Sequence, residues 1–220
     1  MTYAPPVMCA AANTRAINSP KQSLGSDLGR RLVLFVICSI VLQAFAVRCA
    51  LADDEHVWKA LQEGGKVILL RHAQVVIGEG IGHLSPGHCA EEINLTPHGV
   101  DQAKRLGEAF RAHSVSVGEV LSSPFCRCLD TGKLAFGHAT PVPFLVAPGT
   151  VSDSQAASNN EQELQEIRNY HGRSNLVMIT HDLNIANIVL EDTVAMGEFF
   201  VLQPTGSGFE LIGDIRRYAE

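Results

Sequence analysis

The chain has 220 residues, 46% of them hydrophobic and 18% charged, with 17 Lys and Arg against 23 Asp and Glu. That length admits one ordinary domain with a real core, and the apolar content excludes a chain disordered throughout. Residues 1–52 hold five basic side chains (Arg15, Lys21, Arg30, Arg31, Arg48) against Asp27, so within a total of −6 the remainder carries −10. A general nucleic-acid binder is thereby excluded, since its affinity rests on Lys and Arg set against phosphates. An anionic ligand must instead be held by a few local arginines.

In chain order the first element is a leader. Arg30-Arg31 precedes the apolar run from Leu32 to Val47, whose 16 residues fall short of the roughly 20 needed to span a bilayer. Ala50-Leu51-Ala52 and then Asp53-Asp54-Glu55 follow. A basic flank, a short apolar stretch and a small-residue site predict a secretory signal peptide, with cleavage after Ala52. The boundary divides the chain into a leader, 1–52, and a domain, 53–220. In a two-membrane bacterium the destination is the periplasm. The alternative is an uncleaved signal anchor, which is the one route by which this chain would hold a membrane. Cleavage leaves Cys89, Cys126 and Cys128. Cys89 is distant from the other two and pairs with Cys126 or Cys128, Cys126 being favoured, unless all three stay buried thiols. No C-x-x-C pair or regular His spacing points to a metal.

After Gly64-Gly65 the segment Lys66 to Leu70 is apolar without a break from Val67 onward, which predicts a strand buried on both faces. Thr96-Pro97 opens a helix with a capping hydroxyl and a first-turn proline, and Val100, Ala103, Leu106 and Phe110 give it an apolar face. Glu119 to Ser122 is a short strand, and Ser123-Pro124 starts a helix running to about Leu134. Thr140 to Val146 is an edge strand broken by proline. Residues 149–160, rich in Ser and Asn, read as a loop over a site, followed by a helix over 161–170. Asn175 to Thr180 is a second apolar strand, a helix follows from about Asn184, and 198–203 with 208–215 close the chain as an antiparallel pair. The alternation predicts a single-domain, three-layer α/β/α fold on a mostly parallel sheet with an antiparallel edge strand. Trp58 is expected to be a packing anchor. His83, His88 and His98 read as solvated loop residues, and His113 and His138 as residues following helix ends.

In open α/β sheets ligands bind at the carboxyl ends of strands. Those ends carry Arg71-His72, Ser123-Pro124 with Arg127 a turn into the helix, and His181-Asp182. Two histidines and two arginines at one edge suit phosphoryl transfer through a phosphohistidine. A neutral imidazole attacks phosphorus, guanidinium groups hold the nonbridging oxygens, the second histidine donates to the same oxygens, and an acid protonates the leaving oxygen.

Leu70-Arg71-His72-Ala73 resembles the R-H-G/A signature of the histidine phosphatase superfamily, which includes the cofactor-dependent phosphoglycerate mutases. Three further segments follow in family order: Asn94-Leu95-Thr96 with Gly99 and Gln102-Ala103; Ser122-Ser123-Pro124 with Arg127 and Thr131; and Ile179-Thr180-His181. The resemblance implies His72 as the phosphorylated nucleophile, Arg71 and Arg127 as phosphate clamps, His181 as the second pocket histidine, and Asn94 as a substrate contact, although helix entry alone would explain Asn94. Ala73 stands where Gly is commoner. Asp182 follows the second histidine as in the acid-phosphatase branch, which makes it the first choice of general acid. It also suits the start of the helix that follows. The mutase branch draws its acid from elsewhere, and Asp153 and Glu161 are the candidates on that pattern. Cys89, the Cys126-Arg127-Cys128 run and the exported leader resemble small periplasmic members, among them lipopolysaccharide core heptose phosphatases.

The expected activity is metal-independent hydrolysis of a small phosphomonoester, without cofactor, an envelope sugar phosphate being one candidate. The alternatives are a catalytically silent phosphosugar-binding protein and a phosphomutase. The mutase reading suffers because the 168 residues from 53 to 220 leave little room for the insertions that shelter a bisphosphate.

Overall fold

In a computed structural model the described residues are 54–76, 86–216 and 218. The chain separates into the units Met1–Val47 and Arg48–Glu220, and every described residue lies in the second. The leader with its cleavage site, and His83, fall outside the described residues. Among those described, no helix is long and apolar enough to cross a membrane.

A helix not anticipated from the sequence, α1 (54–63), comes first. It buries Val57, Trp58 and Leu61, and Trp58 stacks on His113 with ring centroids 4.2 Å apart while meeting Phe110 and Phe199 edge-on. Gly64 and Gly65, at φ of 75° and 71°, then turn the chain into β1 (Val67–Arg71). These positive values favour residues without a Cβ. Next come α2 (Pro97–Ala112), β2 (Val117–Ser122) and α3 (Cys126–Phe136). The start of α2 is as expected, with the Thr96 hydroxyl accepting from the Gly99 N–H at 2.9 Å.

Two expectations are corrected here. The edge strand β3 is only Thr140–Pro141, and single 3₁₀ turns at Pro143–Leu145 and Pro148–Thr150 replace its continuation. Prolines at 141, 143 and 148 withhold the N–H groups a longer ladder would need. The segment expected as a loop is the first half of α4 (Asp153–Asn169), capped by Ser152, which accepts from the Gln155 N–H at 3.3 Å. The buried stripe of α4 is Asn159, Glu163 and Ile167. Its spacing is helical, but two of its three members are polar, so a search for apolar periodicity passes over it. After α4 come β4 (Asn175–Thr180), α5 (Asp182–Val189), β5 (Phe199–Pro204) and β6 (Phe209–Ile215).

The six strands lie in the order β3-β2-β4-β1-β5-β6. Pairings among β1 to β4 are parallel, and β5 is antiparallel to both β1 and β6. The antiparallel strand therefore sits one place in from the edge, with β6 outside it. Alternate residues of β1 and β4 face opposite sides of the sheet. Ile68, Leu70, Val177 and Ile179 pack with α1, α2 and α3, whereas Val67, Leu69, Leu176 and Met178 pack with α4 and α5. Burial on both faces explains the unbroken apolar runs, and each such side chain contributes about 1.5–3 kcal/mol. Because β1, β4 and β2 are adjacent and parallel, their carboxyl ends open on one edge.

Candidate active site

The register sets the site. Arg71 lies opposite Thr180 and Ser122 opposite Ile179. The ladder runs one bond further on each side, from His72 N–H to the Thr180 carbonyl at 3.1 Å and from Ser123 N–H to the Ile179 carbonyl at 2.8 Å. His72, Ser123 and His181 are thus held by backbone bonds at neighbouring strand ends. The two imidazoles are buried with ring centroids 5.4 Å apart, inclined at 67°.

Each imidazole has one nitrogen whose role its partner dictates. His72 Nδ1 lies 2.8 Å from the Ala73 carbonyl, which can only accept, so Nδ1 carries the proton and Nε2 keeps its lone pair. Burial pushes His72 down to about 3, with the Arg127 and Arg71 charges adding to the effect against the Ala73 bond and Asp182. At neutral pH the ring is therefore neutral, as a nucleophile requires. His181 has the opposite arrangement. Its Nδ1 lies 3.3 Å from Arg127 Nη2 and its Nε2 2.9 Å from Ser123 Oγ. Burial, and then the charges of its neighbours, hold His181 well below the usual histidine range. A guanidinium only donates, so Nδ1 accepts. In this arrangement His181 Nδ1 is an acceptor for Arg127.

The arginines differ in their anchoring. Arg127 sits in the first turn of α3, its guanidinium carbon 4.3 Å from the Phe125 ring centroid, a cation–π contact. Burial opposes its charge, and the Glu92 and Asp182 carboxylates favour it. Arg71 donates through Nη1 to the Val194 carbonyl and meets Asp182 Oδ2 through Nη2 at 3.3 Å. Its Nε is a buried donor with no partner. Asp182 is half-exposed, and its Oδ1 accepts from the Leu183 N–H at 2.9 Å. Arg71, His72, Arg127, His181 and Asp182 are therefore brought together.

Asn94 is not part of this group. It is exposed, and its amide donates to the Cys89 carbonyl within its own loop. Of the other candidate acids, Glu161 faces Arg168 at 3.4 Å on the exposed side of α4, and Asp153 is an exposed first-turn residue there. Neither is joined to the histidine cluster by a hydrogen bond or ion pair among the described residues, so Asp182 is the carboxylate that touches it. His88 and His98 are exposed.

Three supporting residues had no role assigned from sequence. Ser123 is the partner of His181 just described. Thr131 ties strand to helix: its hydroxyl accepts from the Ala73 N–H at 3.0 Å and donates to the Arg127 carbonyl at 2.7 Å, linking the two signature segments. Glu92 is buried and straps residues 87–88 to α3, accepting from Gly87 N–H at 2.9 Å, His88 N–H at 3.3 Å and Cys126 N–H at 2.7 Å. A buried carboxylate leaves no periodic trace, so nothing in the sequence marked it. The disulfide reinforces the same join by linking Cys89 to Cys126, while Cys128 is a buried free thiol. Cys89, Glu92 and Cys126 also form a cluster of metal-type ligands, but both sulfurs are committed to the disulfide.

The family model of the histidine phosphatase superfamily (branch 1) matches residues 67–148. None of the curated proteins matches the chain. Among solved structures the fold is similar to that of the alpha-ribazole phosphatase from Shigella flexneri, at 17% identity over 66% of this chain and 94% of that one, with a TM-score of 0.52. It is similar also to the phosphoserine phosphatase from Entamoeba histolytica in complex with 3-phosphoglyceric acid, at 16% identity over 70% and 99% of the respective chains and a TM-score of 0.52. At such identities the likeness is one of fold.

Proposed function

We propose that the chain is a member of the histidine phosphatase superfamily, whose family model matches residues 67–148, and that it hydrolyses small phosphomonoesters through a phosphohistidine at His72. The observation that carries this reading is the buried, neutral His72, whose Nδ1–H is bound to the Ala73 carbonyl and whose Nε2 is therefore free to attack. In the first step Nε2 forms a bond to phosphorus as the ester P–O bond breaks, and the departing oxygen takes a proton from Asp182. In the second step water attacks the phosphohistidine, Asp182 receives the proton, and inorganic phosphate leaves. Arg127 and Arg71 offset the charge on the nonbridging oxygens, the unpartnered Nε of Arg71 being a donor that such an oxygen would satisfy. All groups invoked are side chains, so hydrolysis is expected to survive EDTA.

The substrate is read as a small phosphorylated compound of the cell envelope. Support comes from the leader pattern and from the Cys89–Cys126 bond, which persists in oxidising compartments. One observation favours a second reading, a phosphate-binding protein without turnover: both Asp182 oxygens are engaged, one with Arg71 and one with the Leu183 N–H. Burst kinetics with p-nitrophenyl phosphate separate the two. The enzyme gives turnover and a phosphoenzyme, both lost in His72→Ala, with a rate at least a hundredfold lower in Arg127→Ala. Tight phosphate binding with no release of nitrophenol from the native chain supports the binder instead.

A further inference from the structure

We propose that Ser123 is a positioning residue for Arg127: its hydroxyl fixes the tautomer of His181, and His181 Nδ1 in turn fixes the guanidinium. The proposal rests on the phosphatase reading of the same site and adds to it a residue that touches neither substrate nor the reacting atoms.

The argument runs from the group with no freedom to the group with most. The Arg127 guanidinium has donors only, so His181 Nδ1, 3.3 Å from Nη2, holds a lone pair there. A neutral imidazole then carries its proton on Nε2. That proton lies in a fully enclosed place: Ser123 Oγ is 2.9 Å away and Cys128 Sγ 3.7 Å away, and all three residues are buried. A buried N–H without an acceptor is costly, so one of these atoms must take it. Sulfur is a weak acceptor, and burial pushes the Cys128 thiol up to about 12, so it offers no thiolate. The Ser123 hydroxyl is left, and it is free to accept because its own proton has the Cys128 sulfur to go to. Its backbone does not move, since the Ser123 N–H is bonded to the Ile179 carbonyl at 2.8 Å. The Phe125 ring closes the arrangement, lying edge-on to His181 at 5.4 Å and beneath Arg127. With Ser123 gone, the Nε2 proton loses its acceptor. The competing tautomer places an N–H on Nδ1 facing a guanidinium N–H, and Arg127 is driven from its place.

Nitrogen-15 NMR of the histidine rings reads the tautomer directly in the full chain. The native protein should show His181 Nε2 in the protonated range and Nδ1 in the bare range at neutral pH. The opposite pattern, or a doubly protonated ring, overturns the proposal without any variant being made. In Ser123→Ala the Nδ1 resonance should move toward the protonated range, and kcat/KM for p-nitrophenyl phosphate should fall at least tenfold. Ser123→Thr, which keeps the hydroxyl, should restore both. Native kcat/KM and unchanged ring resonances in Ser123→Ala overturn the proposal. If the native chain shows the expected tautomer but no turnover, the phosphatase reading fails and the positioning of Arg127 stands, to be read from inorganic phosphate binding weakened at least tenfold in Ser123→Ala.

Discussion

His72 and His181 sit side by side, both neutral, and protonated on opposite nitrogens. A single backbone carbonyl decides one and a single guanidinium the other, so the reactive lone pair and the arginine-orienting lone pair are set by groups that cannot change roles. Asp182 is the residue whose part is easiest to isolate. A nitrophenolate leaves without a proton, whereas an alkoxide needs one. Asp182→Asn should therefore slow hydrolysis of an alkyl phosphate by about 10²–10⁴-fold while slowing p-nitrophenyl phosphate far less. Equal slowing of both substrates would show that the carboxylate acts through its ion pair with Arg71 and not as an acid.

Between elements, the join of α4 to α5 is polar where a hydrophobic seam is usual. Glu163 is fully buried, and its Oε2 accepts from Asn184 Nδ2 at 3.3 Å. Burial pushes this carboxyl from its ordinary 4.5 up to about 8, against the Asn184 bond. Between those values the unfolded chain has released a proton that the folded chain keeps, so stability falls as pH rises through the window and is untouched below it. Glu163→Gln removes the penalty. Its melting temperature should exceed that of the native chain at pH 8 by more than at pH 5, for a gain on the order of a few kcal/mol. An equal gap at both pH values would mean that the carboxyl ionises inside the fold. The join of α2 to the β1 exit is of another kind. A Cβ on Gly99 would lie 2.1 Å from the Gln74 carbonyl oxygen, so the helix approaches the strand end only because this position is bare.

Across the whole molecule, the disulfide closes a separation of 37 residues and fastens the 86–94 segment to the helix bearing Arg127. Loop closure of that size limits the unfolded chain, and reduction with dithiothreitol should lower stability by about 2–4 kcal/mol, read from denaturant midpoints. Unchanged midpoints would show that Glu92 alone secures the join.

The sequence by itself determined the two buried strands, the capped helix α2, the strand-end placement of His72 and His181 and the place of Arg127 a turn into the helix after β2, because continuous apolar runs, a Thr-Pro start and a signature at a strand end are local patterns. Only the tertiary structure decided the rest. It set α4 going at Asp153, since that helix buries polar residues; it bonded the Asn94 amide to the Cys89 carbonyl; and it revealed Ser123, Thr131 and Glu92 as supports. The physical reason is common to all of these. A hydrogen bond between buried groups depends on which segments meet, and spacing along the chain carries no record of that meeting.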